Sequence, residues 1–149
     1  PYRMFVMGGH KDMEDGKARA CWNPEIIEFS EETILLSEGC LTYPLLFLQV
    51  SRPKTCKVKY TDNDGKEHIE DLDHMPSRVF QHEFDHMNGT DFTKLVSKFK
   101  LDRAKEKLRK LYEQEKKLAP KTVQLAKKIK REIEEKKTGV IKPNTDIIV

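Results

Sequence analysis

Two histidines four residues apart, His82 and His86, with Glu83 beside the first, constrain this chain more than any other feature. On a helix, positions i and i+4 lie on one face, so both imidazoles can hold a single metal ion. A carboxylate between them can handle the proton of a water on that ion. The chemistry therefore demands a helix here, and the neighbouring residues agree. Pro76 suits a first helical turn. Met75, Val79, Phe80, Phe84 and Met87 keep a helical apolar spacing, and Asn88-Gly89 supplies a left-handed stop. The motif is expected on a short, buried helix.

The chain around it reads mainly as strand. Tyr2–Met7, Glu25–Phe29 and Thr33–Leu36 are apolar and β-prone, and His10–Lys17 reads as a loop. In Lys54–Thr61, Cys56, Val58 and Tyr60 alternate with lysines. Asp62-Asn63-Asp64-Gly65 predicts a hairpin turn into a return strand, Lys66–Leu72. The expected fold class is α+β: antiparallel strands packed around a central metal-binding helix, with a helical extension behind it.

Charge divides the chain. Residues 1–93 carry 10 Lys/Arg against 17 Asp/Glu, whereas residues 94–137 carry 17 against 7. This split predicts a catalytic domain over 1–96, a basic helical extension over 97–137 and a flexible tail over 138–149. Leu101, Leu108, Leu111 and Leu118 form a stripe on the extension, and Leu125, Ile129 and Ile133 form another beyond Pro120. Proline is expected to break or kink the helix there, and Gly139 to end its second half. Such basicity suits a polyanion such as ribosomal RNA, while the scarcity of aromatics (Phe99, Tyr112) argues against base-specific reading. No run of about 18 apolar residues exists to span a membrane. Cys21, Cys40 and Cys56 are an odd set without short spacings, so a disulfide framework is not expected and a reducing cytoplasm is.

Two histidines are half of a tetrahedral catalytic site, which takes three protein ligands and an open position. One candidate for the third is Glu106, as in a zinc protease, although it lies among lysines where surface ion pairing is the ordinary reading. The other is Cys40, in Ser37-Glu38-Gly39-Cys40-Leu41-Thr42, read as held by tight backbone and not by a strand register.

Glu38-Gly39-Cys40-Leu41-Thr42, together with Gln81-His82-Glu83-Phe84-Asp85-His86, resembles the peptide deformylases. That family carries a Glu-Gly-Cys-Leu-Ser segment and a Gln-His-Glu-x-Asp-His helix. The likeness covers about residues 1–100. It implies Cys40, His82 and His86 as ligands of one divalent ion, iron(II) by family habit, with zinc or nickel also suitable. It implies Glu83 as the general base and acid, and the Leu41 N–H as an oxyanion donor. Leu36, Gly39, Met75 and Val79 would wall a methionine pocket. Glu38, Arg52, Gln81 and Asp85 would support the ligands, with Glu38 and Arg52 as an ion pair. The implied reaction is removal of the formyl group from N-formylmethionyl nascent chains, by a monomer in the cytoplasm of a bacterium, of a virus-infected bacterial cell or of an organelle. The sequence departs from the family in Thr42, where serine is usual, and in Phe47, where some members have arginine. A glycine-rich segment ending in glutamine is also absent, and the likeness puts it ahead of residue 1. A truncated, non-catalytic relative that binds the ribosome or RNA is the alternative which that absence raises.

Overall fold

A computed structural model of the chain describes residues 2–8 and 17–137. Most of the expected loop His10–Lys17, the stop at Gly139 and the tail 138–149 lie outside the described residues. The elements run β1 (Met4–Met7), β2 (Arg19–Phe29), β3 (Thr33–Cys40), β4 (Tyr43–Pro53), β5 (Thr55–Thr61), β6 (Glu67–Asp73), α1 (His74–Met87), a 3-10 turn (Phe92–Leu95) and α2 (Lys98–Lys137). The expected α+β class holds. β1, β2, β5 and β6 form one antiparallel sheet in that order, and β3 and β4 form a separate two-stranded hairpin.

The β5–β6 hairpin follows its sequence closely. Cys56, Val58 and Tyr60 point into the core, as their alternation predicts. At the turn, the Asp62 side chain accepts hydrogen bonds from the Asp64 and Lys66 amides, each at 2.9 Å, and Gly65 takes φ 80°. β2 is longer than expected. It begins at Arg19 and bends at Asn23 (φ 48°), where a register shift lets the buried Pro24 sit in a strand without donating to the ladder.

β4 is a strand that the sequence reading did not find. Leu46, Leu48, Val50 and Arg52 are buried, and the residues between them are exposed. Because Leu45 and Phe47 are themselves apolar, the run shows no alternation in hydrophobicity. The same hairpin corrects the expectation for Cys40. This residue closes β3 opposite Tyr43, after a register shift at Gly39, so a strand ladder does hold it.

α1 starts on Asp73, whose carboxylate accepts the His74 amide at 2.7 Å. It ends where the Asn88 amide reaches the Phe84 and Asp85 carbonyls and Gly89 turns left-handed at φ 70°. One side of it meets the four-stranded sheet. Phe80 is fully buried edge-on to Phe5, ring centroids 5.0 Å apart, with Val79, Phe84 and Met87 packed against the same core. Truncating a ring so buried costs about 3–5 kcal/mol. The other side carries Arg78, His82 and Asp85 toward the β3–β4 hairpin.

The chain divides into two compact units between Lys105 and Glu106. α2 runs unbroken through Pro120, contrary to the expected interruption. Proline removes one i→i−4 bond and crowds the carbonyl four residues back. On this exposed helix water can serve that freed carbonyl, so a bond is lost and the helix persists. In the second unit Leu111, Leu118, Leu125, Ile129 and Ile133 are all exposed. Among the described residues no helix is long and apolar enough to cross a membrane.

Candidate metal centre

The hairpin and the helix bring three ligand atoms together. His86 Nε2 lies 3.2 Å from His82 Nε2 and 3.3 Å from Cys40 Sγ. The three donor atoms all lie within 4.8 Å of one another. Metal–nitrogen and metal–sulfur bonds of ordinary length around a tetrahedral ion give ligand–ligand edges of about 3.3–3.6 Å. Two of the three edges are close to that length, and the donor set suits a divalent ion with one position left open. Glu106 does not belong to this group. It pairs with Arg109 at 2.8 Å on the exposed face of α2, so nothing favours the protease-like alternative.

The imidazole of His82 is oriented from behind. Its Nδ1 lies 3.2 Å from Glu38 Oε2. An ionised carboxylate can only accept, so Nδ1 carries the proton and Nε2 is left for the metal. Glu38 is 5% exposed and accepts four hydrogen bonds. Arg52 gives it two, from Nε at 2.7 Å and Nη2 at 3.1 Å; Arg78 Nη1 gives one at 2.6 Å; His82 gives the fourth. Arg52 also reaches Asp85 at 2.6 Å. Two carboxylates thus offset two guanidiniums, and the cluster is neutral. Burial pushes the Glu38 carboxyl up, but hydrogen bonds from His82, Arg52 and Arg78 outweigh it and hold the group at about 2.

In the metal-free chain the same contacts act on the ligands. The bond to Glu38 raises His82 to about 9 against the opposing effect of burial. Burial pushes the Cys40 thiol up, yet hydrogen bonds from Thr42, His82 and His86 bring it down to about 7. A metal ion entering this site competes with a proton at His82 Nε2 and finds the thiolate readily available.

A cavity of about 530 Å³ opens beside the three ligands. Glu83 lines it next to His82, and Gly39, Met75 and Val79 are among its other lining residues. Leu36, the fourth expected wall, is not among the lining residues. The side chain of Leu41 is 96% exposed in the turn after Cys40, so its backbone is the part suited to the site. Gln81 turns away from the cavity and donates to the Pro53 carbonyl and to Ser77 Oγ, each at 2.9 Å. Phe47 lies over Gly39, where an added Cβ would meet its ring at 2.7 Å.

Two contributors escape the sequence reading. Arg78 is one; its place four residues before His82, on the same helix face, was the available signal. Phe92 is the other. It is fully buried, with its ring 5.9 Å from that of His82 and 5.8 Å from that of Tyr43, whose hydroxyl donates to Asp91 at 3.2 Å.

The family model for polypeptide deformylase matches residues 1–102. A peptide deformylase of Bradyrhizobium diazoefficiens is 40% identical over 114 residues, covering 74% of this chain and 66% of that protein. One from Erythrobacter litoralis is 47% identical over 89 residues, covering 60% of this chain and 46% of the relative. The crystal structure of the Ehrlichia chaffeensis peptide deformylase is similar with a TM-score of 0.64 at 37% identity, covering 76% of this chain and 69% of that one. The chain thus spans between about half and two thirds of the length of these curated relatives.

Proposed function

Because this chain belongs to the polypeptide deformylase family, we propose that its metal centre serves to hydrolyse the N-formyl group from N-formylmethionyl polypeptides. The observation that carries this reading is the convergence of Cys40 Sγ, His82 Nε2 and His86 Nε2 beside a cavity into which Glu83 is built. Those three residues would hold a divalent ion, which would supply Lewis-acid polarisation there. Iron(II) is the proposed native ion, with zinc or nickel as working substitutes, since thiolate and imidazole suit all three.

The remaining chemistry belongs to the chain. Glu83 takes a proton from the attacking water and delivers it to the departing amine nitrogen, so the C–N bond breaks to formate and a free amino terminus. The Leu41 N–H donates to the oxygen on which charge develops. Gly39, Met75 and Val79 receive the methionine side chain. Glu38, held by Arg52 and Arg78, keeps the His82 ring in its ligating tautomer.

The test is formate release from a formyl-methionyl tripeptide by the chain loaded with iron(II) or nickel(II). We expect turnover that Glu83→Ala lowers by about 10²–10⁴-fold while bound metal stays at one ion per chain. Turnover no greater than that of the metal-free chain overturns the assignment.

We also infer that the basic extension, 97–137, attaches the chain to ribosomal RNA, in the compartment where nascent chains emerge. Every side chain of residues 111–134 is exposed, and lysines recur around that helix. Attachment by charge alone weakens steeply with salt. Cosedimentation with ribosomes should fall when residues 97–149 are removed; equal binding refutes it.

A further inference from the structure

Arg78 stands one helical turn before His82 and is 4% exposed. Its guanidinium donates to three acceptors, two of them main-chain carbonyls. Nη1 reaches Glu38 Oε1 at 2.6 Å and the Val50 carbonyl at 3.0 Å, and Nη2 reaches the Ile34 carbonyl at 2.6 Å. Ile34 and Glu38 belong to β3 and Val50 to β4, the two strands whose junction carries Cys40. One side chain of the helix therefore grips the backbone of both hairpin strands. It also grips the carboxylate that orients His82.

We propose that Arg78 is a positioning residue for the metal centre: it sets the distance between α1 and the β3–β4 hairpin, and with it the distance of His82 and His86 from Cys40. The inference rests on the metal reading of those three residues. Arg52 does not duplicate the role, because its partners are the carboxylates of Glu38 and Asp85, which can rotate, whereas main-chain carbonyls cannot. The planar fork of arginine matters for the same reason. A lysine at 78 keeps a positive charge against Glu38, but its single ammonium cannot span carbonyls on two strands. Lysine thus separates the charge from the geometry.

The test is titration of the metal-free chain with cobalt(II), followed by absorption. The d–d bands report coordination number, and the thiolate-to-cobalt band reports the Cys40 bond. Arg78→Lys should raise the cobalt Kd by about 10- to 100-fold and weaken the thiolate band relative to the d–d bands. Arg78→Met should do both more severely. Val58→Ala, a core truncation in β5, provides a variant of lowered thermal stability with unchanged cobalt affinity and spectrum. A folded Arg78→Lys that binds cobalt with the affinity and spectrum of the parent overturns the proposal, and this variant decides the matter if Arg78→Met does not fold. Failure of the parent chain to bind cobalt at all would instead overturn the metal reading.

Discussion

Glu38 Oε2 lies 3.2 Å from His82 Nδ1, and this one contact joins the charge cluster to the ligands. A carboxylate buried in the β3–β4 hairpin decides which ring nitrogen of a helix residue carries the proton that it accepts, leaving the other toward His86. The contact makes Glu38 both a structural and a functional group, and the two roles respond differently to acid.

In the folded chain Glu38 ionises at about 2, against an ordinary value of 4.5. A carboxyl with a depressed folded value contributes stability that is complete above the unfolded value and is lost as pH falls through the folded one. The contribution is on the order of 3 kcal/mol. Glu38→Gln should therefore destabilise the metal-free chain by about 3–5 kcal/mol at neutral pH, since two guanidiniums lose their shared partner. The gap between parent and variant in urea unfolding should narrow from pH 4.5 toward about 2. A gap that stays constant across that window refutes the linkage.

The competing third ligands separate cleanly by substitution. Cys40→Ala should abolish stoichiometric metal binding at neutral pH, measured by elemental analysis after dialysis. Glu106→Ala should leave metal content unchanged and alter stability by no more than about 0.5 kcal/mol, as expected of an exposed ion pair. The opposite pattern would restore the protease-like arrangement.

Gly39 and Phe47 face each other across the hairpin, and a Cβ at position 39 would meet the Phe47 ring. The ring is 64% exposed and can swing outward, so Gly39→Ala should cost on the order of 1 kcal/mol, at the low end for overpacking. In a Phe47→Ala background the cost should nearly disappear. A double-mutant cycle by chemical denaturation measures the coupling, and a coupling near zero would show that the ring does not lie over the glycine.

Pro120 withholds one backbone donor from the middle of α2. Pro120→Ala should strengthen the helix locally, by up to about 3 kcal/mol at a helix-interior site. The gain should appear as higher ellipticity at 222 nm and slower amide exchange around Lys116. No gain in either would mean that the helix does not continue through this residue.

The candidate ligands are legible in the sequence because metal chemistry imposes spacing: His82 and His86 share a helix face, and Cys40 stands in a short motif of its own. The β5–β6 hairpin is legible because one face is apolar and the other charged. β4 is not legible, because Leu45 and Phe47 are as apolar as the buried residues that they alternate with, and the period of two vanishes. Arg78 reads as one more surface arginine until Glu38, 40 positions earlier, is found against it. Pro120 misleads for another reason. The rule that proline stops helices is weakest where the freed carbonyl faces water. Leu36 lies on β3, whose later residues Ser37 to Cys40 line the cavity, but it is not itself among the lining residues.

The neutral set of Glu38, Asp85, Arg52 and Arg78 has a consequence for descent. Removing the charge of any one member leaves an opposite charge short of a partner in the protein interior, so the charge-removing single-step variants are the damaged ones. A lineage could leave this arrangement only by altering several positions at once, or by first becoming stable enough to survive the intermediate. The four residues should therefore tend to be kept or lost together. In a descendant that has dispensed with the chemistry, they should erode later than Glu83, which stands outside the buried ion-pair set.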